Sequence, residues 1–139
     1  MASELSVGEP IWRELEMPRP PSEPERRLLL ALSAAVGEPL LHRQVATVLV
    51  DAVCRCGCPS VRLRSEEPPV PGAAVARLSA RGRDDHFAVE ATGHGPEGQS
   101  VSIVLHVVEG RVHELEVFAE AEGALRAPDV ADVIDPLVG

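Results

Sequence analysis

Two runs, Val101–Val108 and Val112–Ala119, flank Glu109–Gly110 and alternate apolar with polar side chains. That period belongs to strands with one face on a core. The pair therefore reads as an antiparallel hairpin, and any fold for this chain must accommodate it. The turn length sets which residues meet. A three-residue loop with Gly110 in the left-handed conformation places Val101, Ile103, Leu105, Leu115 and Val117 on one face. A two-residue loop would instead oppose Leu105 to Glu114 and Ile103 to Glu116. The first register segregates apolar from charged groups and is the one expected.

Upstream, Ser22 stands three residues before Glu25 with Pro24 between them, the spacing of a helix-capping box with an early proline. A helix from about Glu23 to Val36 follows, with Leu28, Leu29, Leu32 and Val36 on one face, and Gly37 ends it. Pro39 opens a second helix carrying Leu40, Leu41, Gln44 and Val45. The next residues, 47–53, fit either more helix or a strand. Val48, Val50 and their neighbours favour strand, which puts Val48, Val50, Ala52, Cys54 and Cys56 on one face. The parity changes at Val61 and Leu63, so a turn or bulge is expected at Gly57–Pro59. Ala74–Arg81 and His86–Thr92 also alternate and read as strands, with Phe87, Val89 and Ala91 inward in the second. Glu66–Gly72 and Gly93–Gln99 read as loops, and a short helical turn fits Pro128–Ile134.

The sum is an α+β fold, two N-terminal helices packed on a mostly antiparallel sheet of about five or six strands. Residues 1–21 are a proline-rich extended segment that Ile11, Trp12, Leu15 and Met17 would anchor, and 22–139 form a single domain. With 45% hydrophobic residues but only 2% aromatic, the core must be aliphatic. The same scarcity of rings argues against base-stacking platforms and cation cages.

The net charge of −9 disfavours nucleic-acid backbones and anionic membranes as partners. All 13 basic residues are Arg, so lysine chemistry is excluded. The acidic N-terminus has no secretory pattern, and the apolar run Leu28–Val36 is too short to span a bilayer. Three closely spaced cysteines are not a disulfide framework, and the expected compartment is the cytosol.

Cys54, Cys56 and Cys58 are the most unusual local feature. Thiolates so close suit zinc or copper(I), with His42, His106 or His113 as a fourth ligand. Against this, a Cys-x-Cys pair in a strand holds its sulfurs roughly 7 Å apart. The simpler expectation is three small buried hydrophobes with no cofactor, and zinc is the alternative. His113 falls on the apolar face, while His106 lies on the other face near Glu114, a pair that could serve acid–base chemistry. Charge is segregated, with net +4 over Arg55–Arg83 and net −6 over Val112–Gly139. Arg77, Arg81, His106, Glu114 and Glu116 form the candidate binding face for a protein partner. An open sheet edge also allows a homodimer.

CRCGCPSVRL (Cys54–Leu63) and the later Leu105–Gly123 string resemble a group of small uncharacterised bacterial proteins. Their shared features are a Cys-x-Cys-Gly-Cys-Pro-Ser run and an LHV…GR…ELEV hairpin. The chain departs from them in its longer proline-rich start and in Phe118, where Tyr is usual. The resemblance implies a shared fold and a small cytosolic domain, with no mechanism attached. Two functions follow as expectations: a non-catalytic protein-interaction domain, immunity-like in kind, or a metal- or thiol-active protein centred on the three cysteines. An enzyme built on His106 and Glu114 ranks behind both.

Overall fold

The computed structural model describes residues 12–94, 100–119 and 132–138. Ser22 caps the first helix, α1 (Glu23–Ala34), as its spacing predicts. Its hydroxyl accepts from the Glu25 N–H at 3.3 Å, while the Glu25 carboxylate accepts from the Ser22 N–H at 2.8 Å. Helix α2 (Pro39–Thr47) starts on Pro39 and stops before the β-branched run, so strand β2 takes Leu49–Cys54. The remaining elements are β1 (Trp12–Arg19), β3 (Val61–Arg64), α3 (Gly72–Leu78), β4 (His86–His94), β5 (Ser100–Val108), β6 (Arg111–Ala119) and β7 (Asp132–Val138).

The strands form one antiparallel sheet in the order β1-β2-β3-β6-β5-β4-β7. The fold is α+β, as expected, but a strand precedes the helices. Trp12–Arg19 is extended and pairs with β2, and Leu15 packs against the core while Met17 is exposed. The α1 side chains Leu28, Leu29 and Leu32, with Val36 just past the helix, join Leu41, Val45 and Val75 over the inner sheet residues Val50, Leu63, Phe87, Ile103, Leu105 and Leu115. This single aliphatic core, with one ring at Phe87, leaves the opposite sheet face without a helix among the described residues.

Four local expectations change. Gly72–Leu78 is a helix, where an Ala74–Arg81 strand was expected. Alanine has little preference for a pleated surface and the highest for a helix, and Ala74 and Val75 are both buried in the helical form. Asp132–Val138 is a strand beside β4, so 132–134 are not helical as expected, and 128–131 lie outside the described residues. Strand β4 runs on through Gly93 and His94, which pair with Val101 and Ser100.

The fourth change is in the hairpin, which reaches its expected register by another route. Its turn is only Glu109–Gly110, with both residues at positive φ (52° and 82°). The extra residue appears at His113, because His106 pairs with Glu114 but Val107 pairs with Val112. Leu105 then meets Leu115, and Ile103 meets Val117. The bulge turns His113 outward, correcting its expected place on the apolar face.

Candidate metal centre

Strand β2 ends at Cys54, and the chain turns at once. The Gly57 N–H closes the turn on the Cys54 carbonyl at 3.1 Å, with Gly57 at φ +90°. Glycine adopts that conformation freely, so the sequence Cys-Arg-Cys-Gly-Cys bends where a strand would have kept its sulfurs apart. The three Sγ atoms of Cys54, Cys56 and Cys58 all lie within 4.8 Å of one another. The expected burial of all three thiols is corrected for two of them. Cys54 is buried, Cys58 half-buried and Cys56 exposed. Only Cys54 still belongs to the inner face of β2.

The sulfurs are electrostatically unequal. Burial pushes the Cys54 thiol up to about 12, helped by its contact with Cys56. The pKa of Cys56 is lowered, chiefly by its 2.9 Å hydrogen bond with Cys54. The Cys58 N–H also points at the Cys56 sulfur, at 3.3 Å. Of Cys54 and Cys56, the exposed Cys56 is therefore the more readily ionised. Two thiolates on one tetrahedral zinc, each at 2.3 Å, would be separated by about 3.8 Å.

Two of the histidines considered as a fourth ligand, His42 and His106, have other partners. His42 caps the end of α1, with Nε2 2.9 Å from the Ser33 carbonyl and 2.6 Å from that of Val36. His113 stands on the outer face near Arg62, and burial followed by that guanidinium lowers its pKa. His106 engages Glu116, its Nε2 lying 2.9 Å from Oε1. Among the described residues, the three thiols are the one group of three or more ligand-type side chains close enough together to hold an ion.

The candidate binding face divides in two. Arg77 is exposed on α3, and Arg81 lies in the turn after it. Helix α3 covers the inner side of the sheet, so neither arginine shares a face with Glu114 and Glu116. His106 does share that outer face. Glu114 is its cross-strand partner, while the hydrogen bond runs diagonally to Glu116. That bond raises the His106 pKa. Burial raises that of Glu114. Burial lowers that of His86, and the nearby His106 adds to the effect. His86 was not singled out by the sequence. Its ring centroid lies 5.6 Å from that of His106, and the alternation of β4 and β5 was the signal that could have paired them.

Sequence reasoning also missed Gln44, which is fully buried. Its amide donates to the carbonyls of Gly110 (2.8 Å) and Pro68 (3.1 Å) and accepts from the Val112 N–H (2.9 Å). It is a structural clamp between α2 and the hairpin turn. On the outer face, Arg62 joins three strands by pairing with Asp51 and Glu14, each at 2.9 Å.

No helix among the described residues is long and apolar enough to cross a membrane. No family model, curated protein or solved structure matches this chain.

Proposed function

We propose that this protein binds a thiophilic metal ion through Cys54, Cys56 and Cys58. The observation that carries this reading is the convergence of three thiols within 4.8 Å on a turn that is open to solvent at Cys56. Soft sulfur ligands select copper(I) and zinc from the common cellular metals. Three thiolates can satisfy copper(I) alone, whereas zinc takes a fourth ligand. An open fourth position suits a site that exchanges its ion with a donor or acceptor. The proposed role is metal handling, with no bond-making chemistry assigned to the chain.

The protein-interaction reading draws its support from charge segregation. That support weakens once Arg77 and Arg81 stand on the helix side, away from Glu114 and Glu116.

Anaerobic titration with copper(I) and with zinc, each against a competing chromophoric chelator, tests the proposal. The expected result is one thiol-bound ion per chain, with copper(I) binding at least tenfold weaker in Cys56→Ser and protection of the three thiols from alkylation. Undiminished copper(I) binding in Cys56→Ser, or no withdrawal of either ion from the chelator, would overturn it.

A further inference from the structure

A second set of ligand-type side chains lies on the outer sheet face, on strands other than the one bearing the thiols. His86 on β4 and His106 on β5 bring Nε2 and Nδ1 to 3.4 Å. That is longer than the usual 2.7–3.2 Å of a strong N–H hydrogen bond. It matches the separation of two imidazole nitrogens on one tetrahedral zinc, about 3.3–3.4 Å for bonds of 2.0–2.1 Å.

The tautomer follows from the third member. The Glu116 carboxylate only accepts, so His106 Nε2 carries the hydrogen of their 2.9 Å bond. In the neutral ring, Nδ1 then presents its lone pair toward His86. A carboxylate holding the far nitrogen of a histidine is the outer-shell arrangement that orients metal-ligating imidazoles and strengthens them as donors.

The surrounding charges suit a cation. Glu114 and Glu90 act on His106 along with Glu116. Arg83, the guanidinium that acts on His86, is already paired with Asp85 at 2.9 and 3.0 Å. All three site residues project from the middle or end of paired strands, so the backbone fixes their spacing. His106 and Glu116 are about a quarter exposed, leaving access for an ion and its remaining waters.

We infer that His86 and His106 chelate a borderline divalent transition ion of the zinc class, with Glu116 as a positioning residue. Imidazole nitrogen is a preferred donor for such ions. The remaining coordination positions belong to water or to an incoming ligand. This inference stands apart from the thiol reading, because the two sets use different side chains and favour different ions.

The test is zinc titration of a Cys54→Ala/Cys56→Ser/Cys58→Ser variant, followed by calorimetry and by the histidine ring resonances in NMR spectra. One zinc per chain is expected, with the His86 and His106 rings shifting together. Adding His86→Gln should weaken binding at least tenfold. Glu116→Gln should weaken it about tenfold while the two rings still report the ion. Absence of zinc uptake in a folded cysteine-free variant, or uptake unchanged by His86→Gln, would overturn the inference. If the cysteine-free variant does not fold, the ring resonances of the wild-type chain decide. Shifts confined to His86 and His106 during the second equivalent of zinc support the site, and unmoved rings contradict it.

Discussion

Gly110 meets two demands in one residue. Its φ of +82° disfavours any side chain, and a Cβ there would run into the Val70 carbonyl oxygen, with Pro69 Cβ only 3.0 Å away. Gly110→Ala should therefore cost on the order of 3 kcal/mol, read as a lower urea midpoint with an unchanged slope. The left-handed glycine was legible from the Glu-Gly step between two strand patterns. The crowding was not, because Val70 lies forty residues earlier in the chain. Arg19 and Glu25 show the same limit. The capping role of Glu25 follows from its three-residue spacing, but its bidentate bonds to Arg19 (2.9 and 3.1 Å) depend on where β1 docks. Burial pushes the Glu25 carboxyl up, and Arg19 with the Ser22 N–H more than offsets it, so the folded pKa is lowered. A lowered carboxylate pKa stabilises the fold above the unfolded value and loses that contribution as pH falls through the folded value. In Arg19→Met only burial and the cap remain. The variant should lose about 2 kcal/mol at pH 7, a figure reduced for the exposure of Arg19, with a smaller deficit near pH 4 where the carboxyl takes up a proton. Parallel urea titrations at the two pH values check the sign.

At the scale of elements, α1, the start of α2, β4 and the hairpin were all readable, because caps and periods are local. Helix α3 was not. Its alternating alanines imitate a strand, and only burial of Ala74 and Val75 together identifies the face it uses. The hairpin register was right although its turn is a residue shorter than expected, since burial of Leu105 and Leu115 fixes the pairing and His113 absorbs the difference. The attachment of α2 to this hairpin rests on Gln44, which sequence alone presents as one more residue on a helical face. Gln44→Leu would leave the Val112 N–H without its partner and should cost about 2 kcal/mol in equilibrium unfolding. The pairing of β5 with β6 also carries a pH signature. His106 has a raised pKa through Glu116, so its contribution is complete below the unfolded histidine value and fades as pH rises through the folded one. The deficit of Glu116→Gln should therefore be larger at pH 6 than at pH 8.5 in chemical denaturation. An equal deficit at both would assign Glu116 a purely steric part.

Across the whole molecule, the sheet order divides the fold into β1-β2-β3 and β6-β5-β4-β7, joined where β3 meets β6. That seam has two paired positions, Val61–Leu115 and Arg62–Glu114, extended by the Ser60 hydroxyl, which accepts from the Val117 N–H at 2.9 Å. The order could not be read from the sequence, since strand pairing across fifty residues leaves no local mark. The three cysteines were legible as a motif, and their geometry was not. Whether they chelate depends on where β2 stops, and a run of strand-forming residues does not announce its last pairing. The helices fill one sheet face, while the thiols sit at the turn leaving β2, outside the packed core except for Cys54. X-ray absorption at the metal edge of protein loaded with one equivalent of copper(I) tests this account most directly. Three sulfur neighbours at about 2.3 Å are predicted. A shell of nitrogen and oxygen with fewer than three sulfurs would contradict it.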